Sequence, residues 1–219
     1  MPADVTRIMC FGDSLTWGWI PVDGGAPSRR YGRTERWTGV LAADLGPEFE
    51  IVEEGLSARA AGGDPTDPRL DAARYLPAAL ASHFPLDLVI IMLGTNDTKE
   101  YLRRSARDIG VAMSVLAGQV HTSAGGVGTH YPAPELLLVS PPPLSDHPVP
   151  WFTEIFAGGR EKTLELPRVY QALAAFTGSH FFDAGSVITT GGSDGVHFSP
   201  ENNRDLGRAL AGRVREIFG

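Results

Sequence analysis

An almost uninterrupted apolar run near the middle of the chain constrains the fold more than any other feature. Residues 86–93 read Leu-Asp-Leu-Val-Ile-Ile-Met-Leu, and no alternation of apolar and polar positions follows the single aspartate. A strand with this pattern is buried on both faces, as inner strands are in parallel sheets that helices cover on each side. The run therefore predicts the central strand of an α/β sheet.

Four further strand candidates alternate with helical patterns, which is typical of a parallel sheet built from βαβ units. The strands are predicted at residues 8–11, 49–53, 136–140 and 180–183, and the helices at Trp37–Leu45, 71–83, 106–122, 161–176 and from Pro200 onwards. Ser199 is expected to cap the last helix, and Pro167 to kink or restart the helix that contains it. Residues 141–159 are predicted to form a long loop, and residues 1–219 a single domain.

The composition narrows the class of partner. The 219 residues carry a formal net charge of -7, which argues against the clustered Lys and Arg side chains of a nucleic-acid interface. The single cysteine, Cys10, allows no internal disulfide and is predicted to be a buried apolar residue. No stretch approaches the ~18 apolar residues of a membrane span, and residues 1–4 show no start of a signal peptide. A cytoplasmic protein with no nucleic-acid or membrane partner is expected.

Ser14 ends a Gly-Asp-Ser motif directly after the first predicted strand. A serine at the carboxyl end of such a strand faces the crevice where α/β sheets bind ligands. As a nucleophile it needs a base, and His197 is the candidate, because it lies between the last strand and the last helix. Asp194, just before it, can fix the imidazole tautomer and stabilise the imidazolium. A loop serine and a surface Asp–His pair remain alternatives, and Asp183 competes for the place of the acid.

The oxyanion that forms when an ester is attacked needs hydrogen-bond donors. Asn96, at the end of the central strand, can point its amide into the same crevice, and residues 55–59, after the second strand, offer a backbone N–H. A purely structural role for Asn96 in a turn remains an alternative. Asp97 is predicted to brace the loop rather than to act as a catalytic acid.

Four short blocks, taken in chain order, resemble those of the SGNH, or GDSL-type, hydrolase family. They are Phe-Gly-Asp-Ser at residues 11–14, the segment around Ala58, Gly-Thr-Asn-Asp at residues 94–97 and Asp-Gly-Val-His at residues 194–197. The resemblance implies that Ser14 is the nucleophile, His197 the base and Asp194 its partner. It also implies an oxyanion hole formed by the backbone N–H groups of Ser14 and Ala58 and by the side chain of Asn96. Ala58 departs from the family pattern, which has glycine there, and its allowed φ range is narrower.

The similarity extends to a subgroup of this family, the mycobacterial arylesterase-acyltransferases with perhydrolase activity. It is carried by residues 12–19, 54–59, 64–69, 92–99 and 140–143. This resemblance implies a flavodoxin-like three-layer α/β/α sandwich with a five-stranded parallel sheet. It implies no metal and no organic cofactor. It further implies a homo-oligomer, an octamer, whose neighbouring subunits narrow the entrance to the active site.

The expected function is that of a serine esterase and acyltransferase. It forms a Ser-acyl intermediate from short-chain esters and passes the acyl group to water, alcohols or hydrogen peroxide. The alternative is a plain carbohydrate or aryl acetylesterase without notable transfer. Apolar residues suit the entrance to such a site; Trp17 and Trp151 are candidates there, and the predicted contacts to the acyl group or acceptor are Trp19, Phe152, Phe156 and Val196.

Two other classes of function remain to be separated from the esterase. A metal-dependent phosphatase could use Asp13, Asp97, Asp194 and His197 as ligands, and a chelator would abolish its activity. A flavodoxin-like binding module without catalysis would not react with an organophosphate, whereas a serine hydrolase would.

Overall fold

A five-stranded parallel sheet forms the centre of the computed structural model, which describes residues 5–146 and 148–219. Its strands, in the spatial order β2-β1-β3-β4-β5, are β1 (Thr6–Gly12), β2 (Phe49–Gly55), β3 (Leu88–Met92), β4 (Glu135–Ser140) and β5 (His180–Asp183). The predicted parallel sheet is confirmed, and the apolar run at residues 86–93 supplies its fully buried middle strand. The prediction about a signal peptide concerns residues 1–4, which lie outside the described residues.

Helices cover both faces of the sheet, as the three-layer prediction required. They are α1 (Ser14–Trp17), α2 (Trp37–Leu45), α3 (Ala72–His83), α4 (Ala106–His121), α5 (Pro150–Ile155), α6 (Gly159–Thr177) and α7 (Pro200–Phe218). Helices α3, α4 and α6 pack on one face and α2 and α7 on the other. In the part of the chain that the structure describes, no helix has the length and apolar character needed to cross a membrane.

Alternate residues of each inner strand enter two separate cores. In β3, Val89 and Ile91 face α3, α4 and α6, whereas Leu88 and Ile90 face α2 and α7. Each such side chain contributes roughly 1.5–3 kcal/mol when it is fully buried, so this strand anchors both layers. Cys10 is buried in the second core, and burial raises the pKa of its thiol well above the usual value. It packs as the small apolar residue that was predicted.

Two short helices and one continuous helix differ from the predictions. Residues 141–159 are not a plain loop, because they contain α5, whose first residue is Pro150. Ser14 is the first residue of the one-turn helix α1 rather than part of an open turn. Helix α6 runs through Pro167 without restarting. Leu166 and Tyr170, on either side of that proline, are both buried in the same core, and their packing offsets the lost backbone hydrogen bond.

Hydrogen bonds at the start of α7 hold the last loop of the chain in place and connect it to α2. Ser199 caps the helix, as predicted, through a hydrogen bond from Asn202 N–H to Ser199 Oγ (3.2 Å), and Pro200 takes the first helical position. Asn203 Oδ1 accepts a hydrogen bond from Trp37 N–H at 3.0 Å. These contacts fix the chain immediately after residue 197, at the carboxyl edge of the sheet.

Candidate active site

The carboxyl edge of the sheet gathers the candidate residues, because all five strands run in the same direction. The segments that follow β1, β2, β3 and β5 carry Ser14, Ala58, Asn96 and His197, respectively. Residues far apart in the sequence therefore meet at one crevice, as expected for an open α/β sheet.

Ser14 is held at the start of α1 by the residues on its amino-terminal side. Asp13 caps the helix, and its Oδ1 accepts a hydrogen bond from Leu15 N–H at 2.9 Å. Gly12 has no room for a side chain, since a Cβ there would lie 2.8 Å from the carbonyl oxygen of Met92. The close approach of β1 to β3 thus explains the glycine, and it delivers Ser14 to the edge of the sheet with only 6% of its surface exposed.

Asp194 and His197 form a tight local pair. Asp194 Oδ1 accepts hydrogen bonds from the backbone N–H groups of Val196 (3.0 Å) and His197 (2.9 Å), and Asp194 Oδ2 lies 2.7 Å from His197 Nδ1. The turn requires Gly195, whose φ is +76°. Burial opposes ionisation of Asp194, but the hydrogen bonds and charge of His197 outweigh it and lower the pKa of the carboxyl below its usual value.

His197 Nε2 lies 3.0 Å from Ser14 Oγ, which completes a chain of hydrogen bonds from Asp194 to Ser14. Because an ionised carboxylate only accepts hydrogen bonds, His197 Nδ1 carries the proton that is donated to Asp194. Nε2 is then free to accept the Ser14 hydroxyl proton. The structure brings together the three residues that the sequence singled out for nucleophilic chemistry.

The two other aspartates that the sequence raised lie in structural contacts. Asp183 Oδ1 accepts hydrogen bonds from Ser140 Oγ (3.0 Å) and from Gly185 N–H (2.9 Å) at the end of β5. Asp97 accepts from the N–H groups of Ala61 and Gly62 and forms an ion pair with Arg104 at 2.8 Å. Asp97 therefore braces the loop after β2 in the predicted way, and it is Asp194, not Asp183, that contacts the imidazole.

Three hydrogen-bond donors lie around Ser14. The backbone N–H groups of Ser14 and Ala58 have no acceptor among the described residues. The Asn96 amide nitrogen lies 3.2 Å from both Asp13 Oδ2 and the Arg59 carbonyl oxygen. Ala58 adopts a φ of +68°, a left-handed conformation that glycine adopts without strain and alanine rarely does. The alanine thus keeps the backbone geometry of a glycine at this position.

A cavity of about 150 Å³ opens onto Ser14 and His197. The four predicted contact residues all line this cavity; they are Trp19, Phe152, Phe156 and Val196. Three further residues that were not predicted also line it, namely Ser57, Lys99 and Ile155. The Trp19 ring also stacks on the His197 imidazole, with centroids 5.1 Å apart and planes at 19°. Trp151, by contrast, is 68% exposed and does not line the cavity.

Signals for two of the missed wall residues exist in the sequence. Ile155 lies one helical turn from Phe152, so it becomes a candidate as soon as α5 is recognised. Lys99 lies two residues after the Gly-Thr-Asn-Asp block. Burial lowers the pKa of its ammonium, although the Asp64 carboxylate, 3.7 Å away, opposes that shift. Ser57 carries no comparable signal.

A larger cleft of about 830 Å³ lies beside the segment that follows β2. It shares Ser57 and Ala58 with the smaller cavity, and Arg74 and Tyr75 of α3 form part of its opposite side. Neither Ser14 nor His197 lines it. Nucleophilic chemistry therefore belongs to the smaller cavity. In the described ranges, no cluster of three or more His, Cys, Asp or Glu side chains is arranged to hold a metal ion.

The chain matches known proteins over almost its whole length. The model of the GDSL-like Lipase/Acylhydrolase family matches residues 10–204. Among solved structures, the native M. smegmatis aryl esterase is 65% identical with a TM-score of 0.96, over 97% of this chain and 100% of that one. Est24, a carbohydrate acetylesterase from Sinorhizobium meliloti, is 56% identical with a TM-score of 0.96, over 97% and 100%. A comparison with curated proteins finds no match.

A more distant structure shows the same architecture. A carbohydrate acetylesterase family member from Sinorhizobium meliloti is 37% identical with a TM-score of 0.89, over 98% of this chain and 100% of that one. The four sequence blocks, the parallel sheet and the Ser–His–Asp geometry agree with these matches. The chain is thus a serine esterase that belongs to the GDSL-like lipase/acylhydrolase family.

Proposed function

We propose that the chain hydrolyses short-chain carboxylic esters through a covalent intermediate on Ser14 and transfers the acyl group to alcohols or hydrogen peroxide as well as to water. The observation that carries the proposal is the hydrogen-bonded chain of Asp194, His197 and Ser14 at the floor of an apolar cavity. Each member has the partner that its role requires.

Acylation follows from the protonation states in this chain. Ser14 Oγ attacks the ester carbonyl, and His197 Nε2 takes the hydroxyl proton. The Asp194 carboxylate stabilises the resulting imidazolium. The negative charge on the former carbonyl oxygen is met by the Ser14 and Ala58 N–H groups and by the Asn96 amide. Collapse of the tetrahedral intermediate expels the alcohol, which leaves with the proton from Nε2.

Deacylation repeats these steps with a new nucleophile. Water, an alcohol or hydrogen peroxide gives its proton to His197 Nε2 and attacks the acyl carbonyl. The products are a carboxylic acid, a new ester or a peracid, respectively, and Ser14 Oγ recovers its proton. Bulk water is near ~55 M, so an alcohol competes only where the apolar wall binds its hydrocarbon part and keeps water sparse.

The size of the cavity favours short acyl groups. A volume of about 150 Å³ equals about five water molecules at ~30 Å³ each. A cavity of this size favours short acyl chains beside Ser14. The names of the similar structures support aryl esters and acetylated sugars as donors. A plain aryl or carbohydrate acetylesterase, without notable transfer, is the second candidate function.

The test is a series of p-nitrophenyl esters from acetate to octanoate, assayed with the wild type and with Ser14→Ala. We expect kcat/KM to be highest for acetate to butyrate and to fall for octanoate. We expect Ser14→Ala to lower turnover at least about 10⁴-fold while the protein stays folded, since the nucleophile is lost. Stoichiometric labelling of the wild type, but not of the variant, by an organophosphate is the matching control.

Other results would change the assignment. Near wild-type turnover in Ser14→Ala would remove Ser14 as the nucleophile. Loss of activity on adding a chelator would favour the metal-dependent alternative. An octameric assembly and a cytoplasmic location remain predictions from the sequence, and light scattering of the purified protein tests the first of them.

A further inference from the structure

Arg59 lies directly behind the three proposed oxyanion donors and contacts each of the segments that carry them. Its side chain is buried, with 2% of the residue exposed. Nη1 donates hydrogen bonds to the carbonyl oxygens of Gly12, at 2.9 Å, and of Glu54. The guanidinium thereby joins the end of β1, two residues before Ser14, to the end of β2.

The backbone of the same residue holds the other two donors. Arg59 N–H closes a turn onto the Leu56 carbonyl oxygen at 3.1 Å, and Ala58 occupies the third position of that turn. This position has a positive φ in type II turns and favours glycine. The Arg59 carbonyl oxygen accepts a hydrogen bond from the Asn96 amide at 3.2 Å. One residue thus fixes the strained Ala58 and orients Asn96.

The surroundings of the Arg59 guanidinium are unusual for a buried charge. Among the described residues it forms no ion pair, and its Nε has no hydrogen-bond partner. The rings of Phe11 and Tyr75 lie on it, with their centroids 4.1 Å and 5.0 Å from Cζ. These cation–π contacts and the charges of Glu54 and Asp13 offset only part of the cost of burying the guanidinium. An arginine kept here at such a cost, beside a strained backbone, points to function rather than to stability alone.

We infer that Arg59 is a positioning residue for the oxyanion hole. Its side chain clamps the carbonyl groups of Gly12 and Glu54, and this clamp keeps Ala58 in the left-handed conformation that aims its N–H at the substrate oxygen. A glycine at position 58 would need the clamp less, because glycine adopts positive φ at little cost. The inference rests on the proposed function and assigns Arg59 no contact with the substrate.

The experiment compares Arg59→Met, Ala58→Gly and the double variant with p-nitrophenyl acetate, well below their melting temperatures. We expect Arg59→Met to lower kcat about 10- to 100-fold with KM within about threefold, because an oxyanion donor acts on charge that develops in the transition state. The kcat of Ala58→Gly alone is the reference for the double variant, because glycine at this position adopts positive φ without the clamp. Added to Arg59→Met, Ala58→Gly should restore kcat at least about fivefold.

Arg36→Met is the matched control. Arg36 is also buried, and its Nη1 donates to a backbone carbonyl, that of Tyr31, at 2.8 Å, but it contacts none of the three donors. This variant should lower the melting temperature and leave kcat within about threefold of the wild type. The same kcat loss in Arg36→Met as in Arg59→Met would reduce the role of Arg59 to general stability.

Two outcomes overturn the inference while leaving the proposed function intact, provided that Ser14→Ala is inactive. One is a folded Arg59→Met with wild-type kcat. The other is a kcat loss in Arg59→Met that Ala58→Gly does not relieve. If Arg59→Met does not fold, Arg59→Gln, which keeps one donor for a carbonyl group, takes its place with the same expected direction and the same rescue. Activity retained in Ser14→Ala would instead contradict the proposed function.

Discussion

Asp194 and Asp183 are chemically alike, and their surroundings differ. Asp183 ends the last strand of the sheet, and Asp194 lies in the segment after it. Asp194 contacts the imidazole of His197, whereas Asp183 accepts hydrogen bonds from Ser140 and a backbone N–H. The lowered pKa of Asp194 keeps its negative charge available to the imidazolium that forms during the reaction. Only one of the two carboxylates is therefore placed to support catalysis.

We expect Asp194→Asn to lower kcat on the order of 10³- to 10⁴-fold, since an amide can neither hold the required tautomer nor stabilise the imidazolium. Asp183→Asn, which keeps an oxygen able to accept the same hydrogen bonds, should change kcat less than about threefold. Steady-state kinetics with p-nitrophenyl acetate measures both. The reverse order of effects would move the role of the acid to Asp183.

The candidate catalytic residues were predictable from the sequence because their chemistry and their positions after strands restrict the choice. Ser14, Asp194 and His197 each have a local signal, and a parallel sheet brings the ends of its strands together. Arg59 carries no such signal. Its importance depends on the φ of Ala58 and on two carbonyl groups from different strands, and only the folded backbone shows these.

At the scale of elements, helix α5 and the residue after it supply three of the apolar residues that line the cavity. Phe152 and Ile155 lie on its inner side, and Phe156 follows its last turn. The rings of Phe152 and Phe156 meet edge to face at 5.9 Å. Trp151, next to Phe152 on the same helix, is exposed and does not line the cavity. Phe152 is therefore a position at which to test the role of the cavity wall, and Trp151 on the same helix is its control.

We expect Phe152→Ala to lower the ratio of acyl transfer to hydrolysis at least about threefold, because the opened wall admits water and loses apolar contact with the acceptor. Vinyl acetate and benzyl alcohol in buffer provide the assay, with benzyl acetate measured against acetic acid at early times. Trp151→Ala should leave the ratio unchanged. Hydrolysis that dominates by orders of magnitude in the wild type would leave a plain esterase.

Long elements were predictable, and short ones were not. The strands and the helices α2, α3, α4 and α6 carry periodic patterns over many residues, so their positions agree with the sequence to within a few residues. Helices α1 and α5, with 4 and 6 residues, are too short to show a period. The predicted restart at Pro167 was wrong, because the packing of Leu166 and Tyr170 keeps the helix continuous.

At the scale of the whole molecule, the buried Asp13 links stability to pH. Burial, the largest cause, and the nearby Asp97 together raise the pKa of its carboxyl to about 7. Hydrogen bonds from Leu15 N–H and Asn96 and the charge of Arg59 limit this rise. In the unfolded chain the pKa is about 3.9. The neutral carboxyl of Asp13 thus favours the folded state. Its contribution to the free energy of unfolding is fully present below about pH 4 and is lost as the pH rises through 7.

We therefore expect the free energy of unfolding of the wild type, relative to Asp13→Asn, to fall by about 3 kcal/mol between pH 5 and pH 8. Urea unfolding of both proteins at the two pH values measures the difference. The cost of the substitution itself is the same at both pH values and cancels, as do the contributions of titrating groups that do not interact with Asp13. Parallel curves for the two proteins would mean that Asp13 titrates at its ordinary pKa.

The segments that follow the five strands have different roles at the carboxyl edge of the sheet. The proposed nucleophile Ser14 follows β1, and the proposed base His197 follows β5. The proposed oxyanion donors follow β1, β2 and β3, whereas the segment after β4 supplies the helix that lines the cavity. Changes in the segment between β4 and α6 can therefore alter substrate preference during evolution, while the proposed catalytic residues stay the same. Residues 141–159 are the natural place for such divergence, and equally for a library that seeks it.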